Sequence, residues 1–278
     1  FLTPGLIQDW SLEDQRFFIE SMLSYQLGAL HFIHTLHRDK KRPFHLVVSH
    51  DWITAPAGMI IRRNLNLPFI FHMHSHEQGR MITPSPMIIE IEKRAGDLAD
   101  GIITVSHAMK EDLIRQGFNA GKIHVVHNGI DTDVFNPYLV DDARIFELRA
   151  SLGILNRPLI LFIGRLTWVK GVDELIRAMP DVLSHIPDAC LVIVGMGEME
   201  DQVRSLILKH NLEDSVVMVN RHISDPERIL YYAACDCAVF PSKYEPFGIV
   251  CTEAMAMNKP VIVGGAGISG LAEQVIID

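Results

Sequence analysis

The sequence predicts an α/β fold built from two doubly wound units in tandem. Short apolar runs that suit buried strands alternate with stretches of helical periodicity, which is the pattern of a parallel sheet covered by helices. The alternation fills residues 44–126, stops between Asp133 and Arg157, and then resumes. We therefore place the domain boundary near Arg157, between a unit of residues 1–157 and a unit of residues 158–278.

The N-terminal half predicts one long helix and then four strands. Apolar side chains at helical spacing predict a long packed helix over residues 11–37, and they are Phe17, Phe18, Met22, Leu23, Leu27, Leu30 and Ile33. The predicted strands are 44–49, 68–72, 101–105 and 123–126. Further helices are expected from Ala55 to Arg63, over residues 86–98 and after Ser106, whose side chain suits a helix N-cap.

The C-terminal half predicts a second alternating series. Its expected strands are 159–163, 190–194, 216–219, 237–240, 260–263 and 274–277. Helices fit between them, for example from Val172 to Ser184 and from Met199 to His210. Ligands of such sheets bind beyond the carboxyl ends of the strands, and a cleft between two units is a natural site.

Composition narrows the class of protein. The 278 residues are 48% hydrophobic and 21% charged, with a net charge of −9, which fits a globular protein and argues against a nucleic-acid partner or an anionic membrane. No apolar run approaches about 20 residues and no signal peptide is visible, so we expect a cytoplasmic location. The four cysteines lack metal or disulfide spacing and are predicted to be buried free thiols; they are Cys190, Cys235, Cys237 and Cys251. The basic run 38–42 is expected to be a solvated loop.

The stretch from Lys243 to Glu253 reads as a loop that runs into a helix. Pro246 suits a first helical turn, Gly248 lets a ligand approach the backbone, and the free N–H groups there suit a phosphate. Glu245 and Glu253 would be roughly 12 Å apart on one helix. The two catalytic carboxyl groups of a glycosidase lie about 5 to 9.5 Å apart. We therefore interpret Glu245 and Glu253 as separate acceptors for hydroxyl groups of one extended ligand. The alternative is a solvated helix start with two surface glutamates.

A second loop carries two cations. Arg165 and Lys170 lie between Gly164 and Gly171, directly after the predicted strand 159–163. A guanidinium fork and an ammonium at one strand end can converge on a diphosphate. An ordinary charged surface loop is the alternative.

These two motifs resemble the Gly-Arg-x4-Lys-Gly and Glu-x7-Glu motifs of retaining glycosyltransferases of family 4, especially the glycogen synthase-like and sucrose-phosphate synthase-like group. The resemblance spans His50 to Glu273. It implies the GT-B architecture, in which two Rossmann-like domains, both incomplete in this chain, face a cleft. It also implies transfer of a hexose, which we expect to be glucose, from a nucleotide diphosphate sugar to a carbohydrate hydroxyl.

The resemblance assigns roles residue by residue. Arg165 and Lys170 would stabilise the leaving diphosphate in place of a metal, Glu245 would hold the donor sugar, and Glu253 the ribose. The remaining donor-site positions are Gly164, Gly197, Phe247, Gly248 and Ile249. No cofactor is implied, because the nucleotide sugar is a substrate.

Histidines in the N-terminal half allow two interpretations. His72, His74 and His76 alternate, so a continuing strand would place them on one face and suggest a metal site. We instead expect the strand to end first and no metal to bind here, because the segment resembles a family loop in which His74 lies near the chemistry. His50 resembles a cleft-facing histidine that contacts sugar or acceptor. Either histidine can also be purely structural.

The remaining motifs are weaker. Val194 to Glu198 begins like a dinucleotide fingerprint, but the third glycine position holds Glu200, so that motif fails. Asp131-Thr132-Asp133 matches a metal motif of another glycosyltransferase fold, but its setting after Asn128 resembles a family 4 signature, in which Asn128 shapes the cleft. The glycine-rich turn 264–273 matches a family turn.

Three rival functions stay open. They are a sugar phosphorylase, for which no pyridoxal-phosphate lysine is identifiable, a lipid-acceptor mannosyltransferase and a non-catalytic sugar-nucleotide-binding module. The chain starts at Phe1 and lacks the family's first glycine-rich loop and final helix, so we expect a fragment. The donor base, the acceptor and the oligomeric state are not predicted.

Overall fold

The computed structural model describes residues 12–38, 43–265 and 267–275. The chain divides into two compact units, Phe1–His127 and Asn128–Asp278. Among the described residues, no helix combines the length and the apolar character that a membrane span requires.

The N-terminal unit is built on a four-stranded parallel sheet. Its strands, in spatial and chain order, are β1 (Val47–His50), β2 (Phe69–Met73), β3 (Gly101–Thr104) and β4 (Ile123–Val125). Its helices are α1 (Leu12–Arg38), α2 (Asp51–Leu65), α3 (Glu77–Arg80), α4 (Pro86–Leu98) and α5 (His107–Arg115). All four predicted strands are confirmed, although β1 begins and ends later than expected and contains His50. Ser106 caps α5 as predicted, accepting a bond from the Met109 N–H group.

Helix α1 has the predicted extent but not the predicted packing. Its exposed apolar side chains include Phe17, Leu23 and Leu27, and the half-buried ones include Met22, Leu30 and Ile33. The buried residue is Gln26, whose Oε1 accepts the Ala57 N–H group at 2.9 Å and whose amide donates to the Ile53 carbonyl. The helix is thus fastened to α2 partly by polar contacts. The Phe18 side chain and residues 39–42 of the basic run lie outside the described residues.

The C-terminal unit contains a five-stranded parallel sheet and a separate two-stranded ladder. Its strands are β5 (Leu159–Ile163), β6 (Cys190–Val194), β7 (Val216–Val219), β8 (Cys237–Phe240), β9 (Tyr244–Glu245), β10 (Val261–Val263) and β11 (Ile268–Ser269). Its helices are α6 (Asp142–Ser151), α7 (Val172–His185), α8 (Glu200–Lys209), α9 (Asp225–Ala234) and α10 (Ile249–Ala256). The predicted strand 274–277 is wrong where it is described, because residues 274 and 275 lie in a turn and bend.

Helices cover both faces of this sheet. Every residue of β6 is buried, which explains why its sequence is a continuous apolar run without alternation. Leu161 and Val192 belong to the buried cluster on one face, and Leu191 and Ile193 to the cluster on the other.

The predicted domain boundary near Arg157 is wrong. The division falls between His127 and Asn128, so the whole segment that contains helix α6 belongs to the C-terminal unit. Helix α6 packs against α9, and Phe135 and Ile154 are buried in the core of the C-terminal unit. The segment carries no strand, as expected, but its apolar side chains complete the second core rather than the first.

Strand order creates a switch point in the C-terminal sheet. The order is β10-β8-β5-β6-β7, so the chain moves from β5 to β6 and β7 on one side and returns to β8 and β10 on the other. The loops that follow β5 and β8 therefore leave neighbouring strands in opposite directions. A crevice at this position is where doubly wound sheets bind ligands.

The cysteine prediction is confirmed. All four thiols are free; Cys190, Cys235 and Cys251 are buried, and Cys237 is half-buried. Burial raises the pKa of Cys235 to about 12 and that of Cys251 to about 11, so both are protonated at neutral pH.

Candidate functional site

Three loops meet at the carboxyl end of the C-terminal sheet. We call them the β5 loop (164–171), the β6 loop (195–199) and the β8 loop (241–248). The Leu166 N–H group donates to the Met196 carbonyl at 2.8 Å, and the Lys243 N–H group donates to the Val169 carbonyl at 2.7 Å. These backbone bonds hold the β5 loop between the other two.

Glycines permit this close approach. A Cβ atom on Gly195 would lie 1.9 Å from the Gly164 carbonyl oxygen, and one on Gly197 would lie 2.3 Å from the Leu166 carbonyl oxygen. Gly171 has φ +66°, and a Cβ atom there would lie 2.1 Å from the Pro241 carbonyl oxygen. Side chains at these positions would separate the loops. The failed dinucleotide motif at residues 194–198 is therefore a tight loop-packing turn.

The two charged motifs of the sequence meet in this loop cluster. The Lys170 ammonium forms an ion pair with the Glu245 carboxylate, and the Ser242 hydroxyl lies 3.4 Å from the same carboxylate. Glu245 is 8% exposed, and its short strand β9 pairs with β11. Arg165 is exposed, and its guanidinium makes no ion pair with any described residue. An exposed cation, Arg165, and a buried, cation-paired carboxylate, Glu245, thus lie on adjoining loops.

The helix after this loop starts later than predicted. Helix α10 begins at Ile249, so Pro246 lies in the β8 loop rather than in a first helical turn. Gly248 is the N-cap with φ +88°, and a Cβ atom there would lie 2.2 Å from Leu271 Cδ2. Packing therefore requires glycine here whether or not a ligand approaches. Phe247 is buried at 6% exposure, whereas Ile249 is 45% exposed at the helix start.

Glu253 lies in a different environment from Glu245. It is 3% exposed, the Tyr232 hydroxyl donates to its Oε2 at 2.8 Å, and Arg228 lies 3.2 Å from its Oε1. Burial raises the pKa of Glu253, while the bond from Tyr232 and the charge of Arg228 act in the opposite direction. Burial also raises the pKa of Tyr232 well above its ordinary value. Sequence reasoning missed Tyr232 and Arg228, because nothing in the pattern of α9 marks them as partners of a residue on α10.

Three histidines gather at the carboxyl ends of β1 and β2. His50 and His72 are register partners on these strands. One ring nitrogen from each of His50, His72 and His74 lies within 4.8 Å of the other two. His50 Nδ1 lies 2.9 Å from His74 Nε2. Burial, together with the neighbouring His74 and His50, lowers the pKa of His72 to about 4, so His72 is neutral at pH 7.

The predicted alternative set of His72, His74 and His76 does not form. Strand β2 ends at Met73, as expected, and His76 turns away to form a buried contact with Asp112. His50 from the neighbouring strand takes the third place instead. Only the pairing of β1 with β2 could reveal this.

Asp51 positions the loop that carries His74. Its Oδ1 accepts the His74 N–H group at 2.7 Å and the Ser75 N–H group at 3.3 Å. Asp51 has φ +54°, a conformation that is rare for a residue other than glycine and that concentrates at functional sites.

The remaining predicted residues lie at the start of the C-terminal unit. Asn128 is its first residue and is half-buried. Asp131 Oδ1 accepts the N–H groups of Asp133 at 2.9 Å and of Val134 at 3.3 Å. This turn gives the Asp-x-Asp sequence a local structural role.

Comparison with known proteins agrees with the fold. Residues 11–134 match the glycosyltransferase family 4 domain, and residues 144–276 match the glycosyl transferases group 1 domain. The two matches together span most of the chain, one in each unit.

Curated relatives are glycosyltransferases. An uncharacterized glycosyltransferase of Methanocaldococcus jannaschii is 36% identical over 83% of this chain and 59% of its own length. The D-inositol 3-phosphate glycosyltransferase of Xylanimonas cellulosilytica is 31% identical over 84% of this chain and 58% of its own length. The glycogen synthase of Mycobacterium tuberculosis is 29% identical over 83% of this chain and 54% of its own length. The chain therefore spans less than two thirds of the length of these relatives.

A solved structure shows the same architecture. The Anabaena protein HepE, crystallised with UDP and glucose, superimposes with a TM-score of 0.74 at 25% identity, over 90% of this chain and 65% of that one. The two α/β units are those of the GT-B fold. The chain belongs to the family 4-like glycosyltransferases of the GT-B fold.

Proposed function

We propose that the enzyme to which this chain belongs transfers a hexose, specifically glucose, from a nucleotide diphosphate sugar to a carbohydrate hydroxyl with retention of anomeric configuration. The observation that carries this proposal is the contact of Lys170 with Glu245 at the switch point. It brings a phosphate-binding type of side chain and a sugar-binding type of side chain into one small volume. The names of the M. tuberculosis and Anabaena proteins, glycogen synthase and a complex with UDP and glucose, support glucose as the sugar.

The cations act on the leaving group. When the bond between the sugar C1 and the diphosphate oxygen breaks, negative charge develops on the diphosphate while the acceptor oxygen bonds to C1 and its proton passes to an oxygen of the departing diphosphate. Arg165 is exposed and extends from the β5 loop, and Lys170 lies at the end of the same loop. Fixed positive charges directed at developing negative charge are usually the largest contribution to catalysis. We assign this role to Arg165 and Lys170, and no divalent metal is required at the diphosphate.

Donor binding rearranges the ion pair. In the free protein the Lys170 ammonium contacts Glu245. A bound diphosphate competes for the ammonium, and the Glu245 carboxylate is then free to accept hydroxyl groups of the sugar. Glu253 accepts the ribose hydroxyls, and the backbone of Gly248 faces the phosphate. Gly164, Gly197, Phe247 and Ile249 line this donor site.

The N-terminal unit supplies the acceptor side. Asp51 accepts the backbone N–H groups of His74 and Ser75 and so holds the loop that carries His74, and we assign the His74 ring to contact with the donor sugar near C1. His50 is exposed and can reach an acceptor or sugar hydroxyl. Asn128 shapes the segment that joins the units.

A donor panel tests the proposal. UDP-, ADP- and GDP-linked glucose and mannose are each titrated into the protein and then supplied with a maltooligosaccharide acceptor, and the anomeric configuration of the product is read by NMR. We expect a glucose nucleotide to bind and to yield an α-linked product without added metal. Transfer from GDP-mannose alone would contradict glucose, and an inverted product would contradict retention.

The acceptor panel includes D-inositol 3-phosphate and a polyprenyl phosphate. The name of the X. cellulosilytica relative makes a phosphorylated polyol the second candidate acceptor. Donor binding without transfer to any acceptor would favour a binding module over an enzyme.

A further inference from the structure

We infer that His50, His72 and His74 form a binding site for a divalent transition-metal cation of the zinc class. One ring nitrogen of each residue lies within 4.8 Å of the other two. Three imidazoles with an open fourth position are a donor set that zinc takes in proteins, whereas magnesium and calcium prefer oxygen ligands. All three residues belong to the N-terminal unit.

The backbone fixes the arrangement. His50 and His72 are directly opposite each other on β1 and β2. His74 lies one residue beyond the end of β2 at Met73, and its ring stacks on the ring of His72. The ring centroids are 4.1 Å apart for His72 and His74, 4.9 Å for His50 and His72, and 5.2 Å for His50 and His74.

The nitrogen spacing is close to what a cation needs. Zinc–nitrogen bonds of about 2.1 Å with tetrahedral angles place two ligating nitrogens about 3.4 Å apart. His50 Nδ1 and His74 Nε2 are already 2.9 Å apart, and every nitrogen of the set is within 4.8 Å. His50 is exposed, so its ring can rotate the remaining distance without disturbing the core.

A second observation points to a missing partner. His72 Nε2 is buried, and no hydrogen-bond partner for it exists among the described residues. Buried polar atoms in proteins are nearly always satisfied, and an unsatisfied one calls for an explanation such as an unseen ion. The contact between His50 and His74 uses one nitrogen of each ring and provides no partner for His72 Nε2. A cation shared by all three satisfies His72 as well.

Metal binding has a consequence for transfer that rests on the proposed function. A cation uses the nitrogen lone pairs of His50 and His74, the two side chains that we assign to sugar and acceptor contacts. Zinc is therefore expected to inhibit transfer, and a chelator to restore it. The binding itself does not depend on the reaction.

Cobalt titration tests the site directly. Untagged protein, containing all 278 residues, is titrated with Co²⁺, the visible absorption of the bound ion is recorded, and Zn²⁺ is added to displace it. We expect one Co²⁺ per chain, at least tenfold weaker binding in His72→Asn, and unchanged binding in His45→Asn. His45 is an exposed histidine two residues before β1 and is the matched control.

Clear outcomes would overturn the inference. The inference is wrong if the wild-type protein does not bind Co²⁺ at one ion per chain. It is also wrong if a folded His72→Asn variant binds Co²⁺ as tightly as the wild type does. If His72→Asn loses its native circular dichroism, His50→Asn supplies the same comparison at an exposed ligand. If the protein shows no transfer activity under any condition, the proposed function is contradicted, but the cobalt titration still tests the metal site because it does not depend on transfer.

Discussion

The Lys170 ammonium contacts the Glu245 carboxylate, although 75 positions separate the two residues in the chain. Lys170 follows β5 and Glu245 follows β8, the two strands that adjoin the switch point of the sheet. Both side chains are largely withdrawn from solvent, with 19% and 11% of their surfaces exposed. The contact joins the two sequence motifs that form the proposed donor site.

Removal of the cation tests catalysis. We expect Lys170→Ala to lower kcat/KM for the nucleotide sugar by about 100- to 1000-fold, the usual effect of removing one electrostatic stabiliser of a transition state. Initial rates with the donor found in the panel measure the effect, and circular dichroism verifies the fold. Lys209→Ala, an exposed lysine at the end of α8, is the matched control. Near-normal turnover of Lys170→Ala would refute the assignment.

A double-mutant cycle tests the energetic coupling of this pair. Lys170→Met and Glu245→Gln should each lower the free energy of unfolding by about 1–3 kcal/mol, because each leaves a partly buried charge without its partner. The double variant should cost about 1–2 kcal/mol less than the sum of the two. Urea denaturation of the four proteins provides the values. Strict additivity would show that the contact contributes nothing in solution.

The hydrogen bond from the Tyr232 hydroxyl should stabilise the fold and hold the Glu253 carboxylate in position. Tyr232→Phe keeps the buried ring and removes the donor to Glu253 Oε2, which we expect to cost about 1–3 kcal/mol of stability. Because Glu253 is assigned to the ribose, KM for the donor should rise more than kcat falls. Urea denaturation and steady-state kinetics measure the two effects. Tyr231→Phe removes a hydroxyl from the adjacent, equally buried ring, and a result identical to that of Tyr232→Phe would contradict the specific role of the bond.

Gly248 and Gly265 make a matched pair for packing. A Cβ atom at Gly248 would lie 2.2 Å from Leu271 Cδ2 at φ +88°, whereas nothing lies within 4 Å of one at Gly265. Gly248→Ala should therefore destabilise by about 1–3 kcal/mol, while Gly265→Ala should change stability by less than about 0.5 kcal/mol. Thermal unfolding followed by circular dichroism compares the two. Equal Tm values would show that the turn relaxes without cost.

Glu92 should make stability depend on pH. Its carboxyl is buried on α4, accepts the Glu77 N–H group at 3.0 and 3.2 Å, and has its pKa raised by burial from 4.5 to about 8. Between these two pH values the folded state holds a proton that the unfolded state has released. The free energy of unfolding should therefore fall as the pH rises from about 4.5 to about 8.

The variant Glu92→Gln isolates this effect. The difference in unfolding free energy between wild type and Glu92→Gln should fall by about 2–4 kcal/mol across that range, since one pKa unit corresponds to about 1.4 kcal/mol. Urea denaturation at a series of pH values measures it. Glu90→Gln, on the exposed face of the same helix, is the control. Parallel pH profiles for wild type and Glu92→Gln would contradict the buried, protonated carboxyl.

Sequence patterns located most strands of the sheets but misplaced the domain boundary. Strand signals are local, because a continuous apolar run such as Cys190–Val194 is enough to predict a strand that is buried on both faces. The segment 128–157 carries no such signal. Its membership in the C-terminal unit depends on Phe135 and Ile154 reaching a core formed by distant residues.

The sequence alone determined the α/β class, the family and the two charged motifs, because each depends on residues that are close together in the chain. The tertiary structure decided which residues meet. It placed Lys170 against Glu245 and Tyr232 against Glu253, and it replaced His76 by His50 beside His72. The physical reason is strand order: the neighbours of β5 and β2 are chosen by packing of whole sheets, and no local pattern encodes that choice.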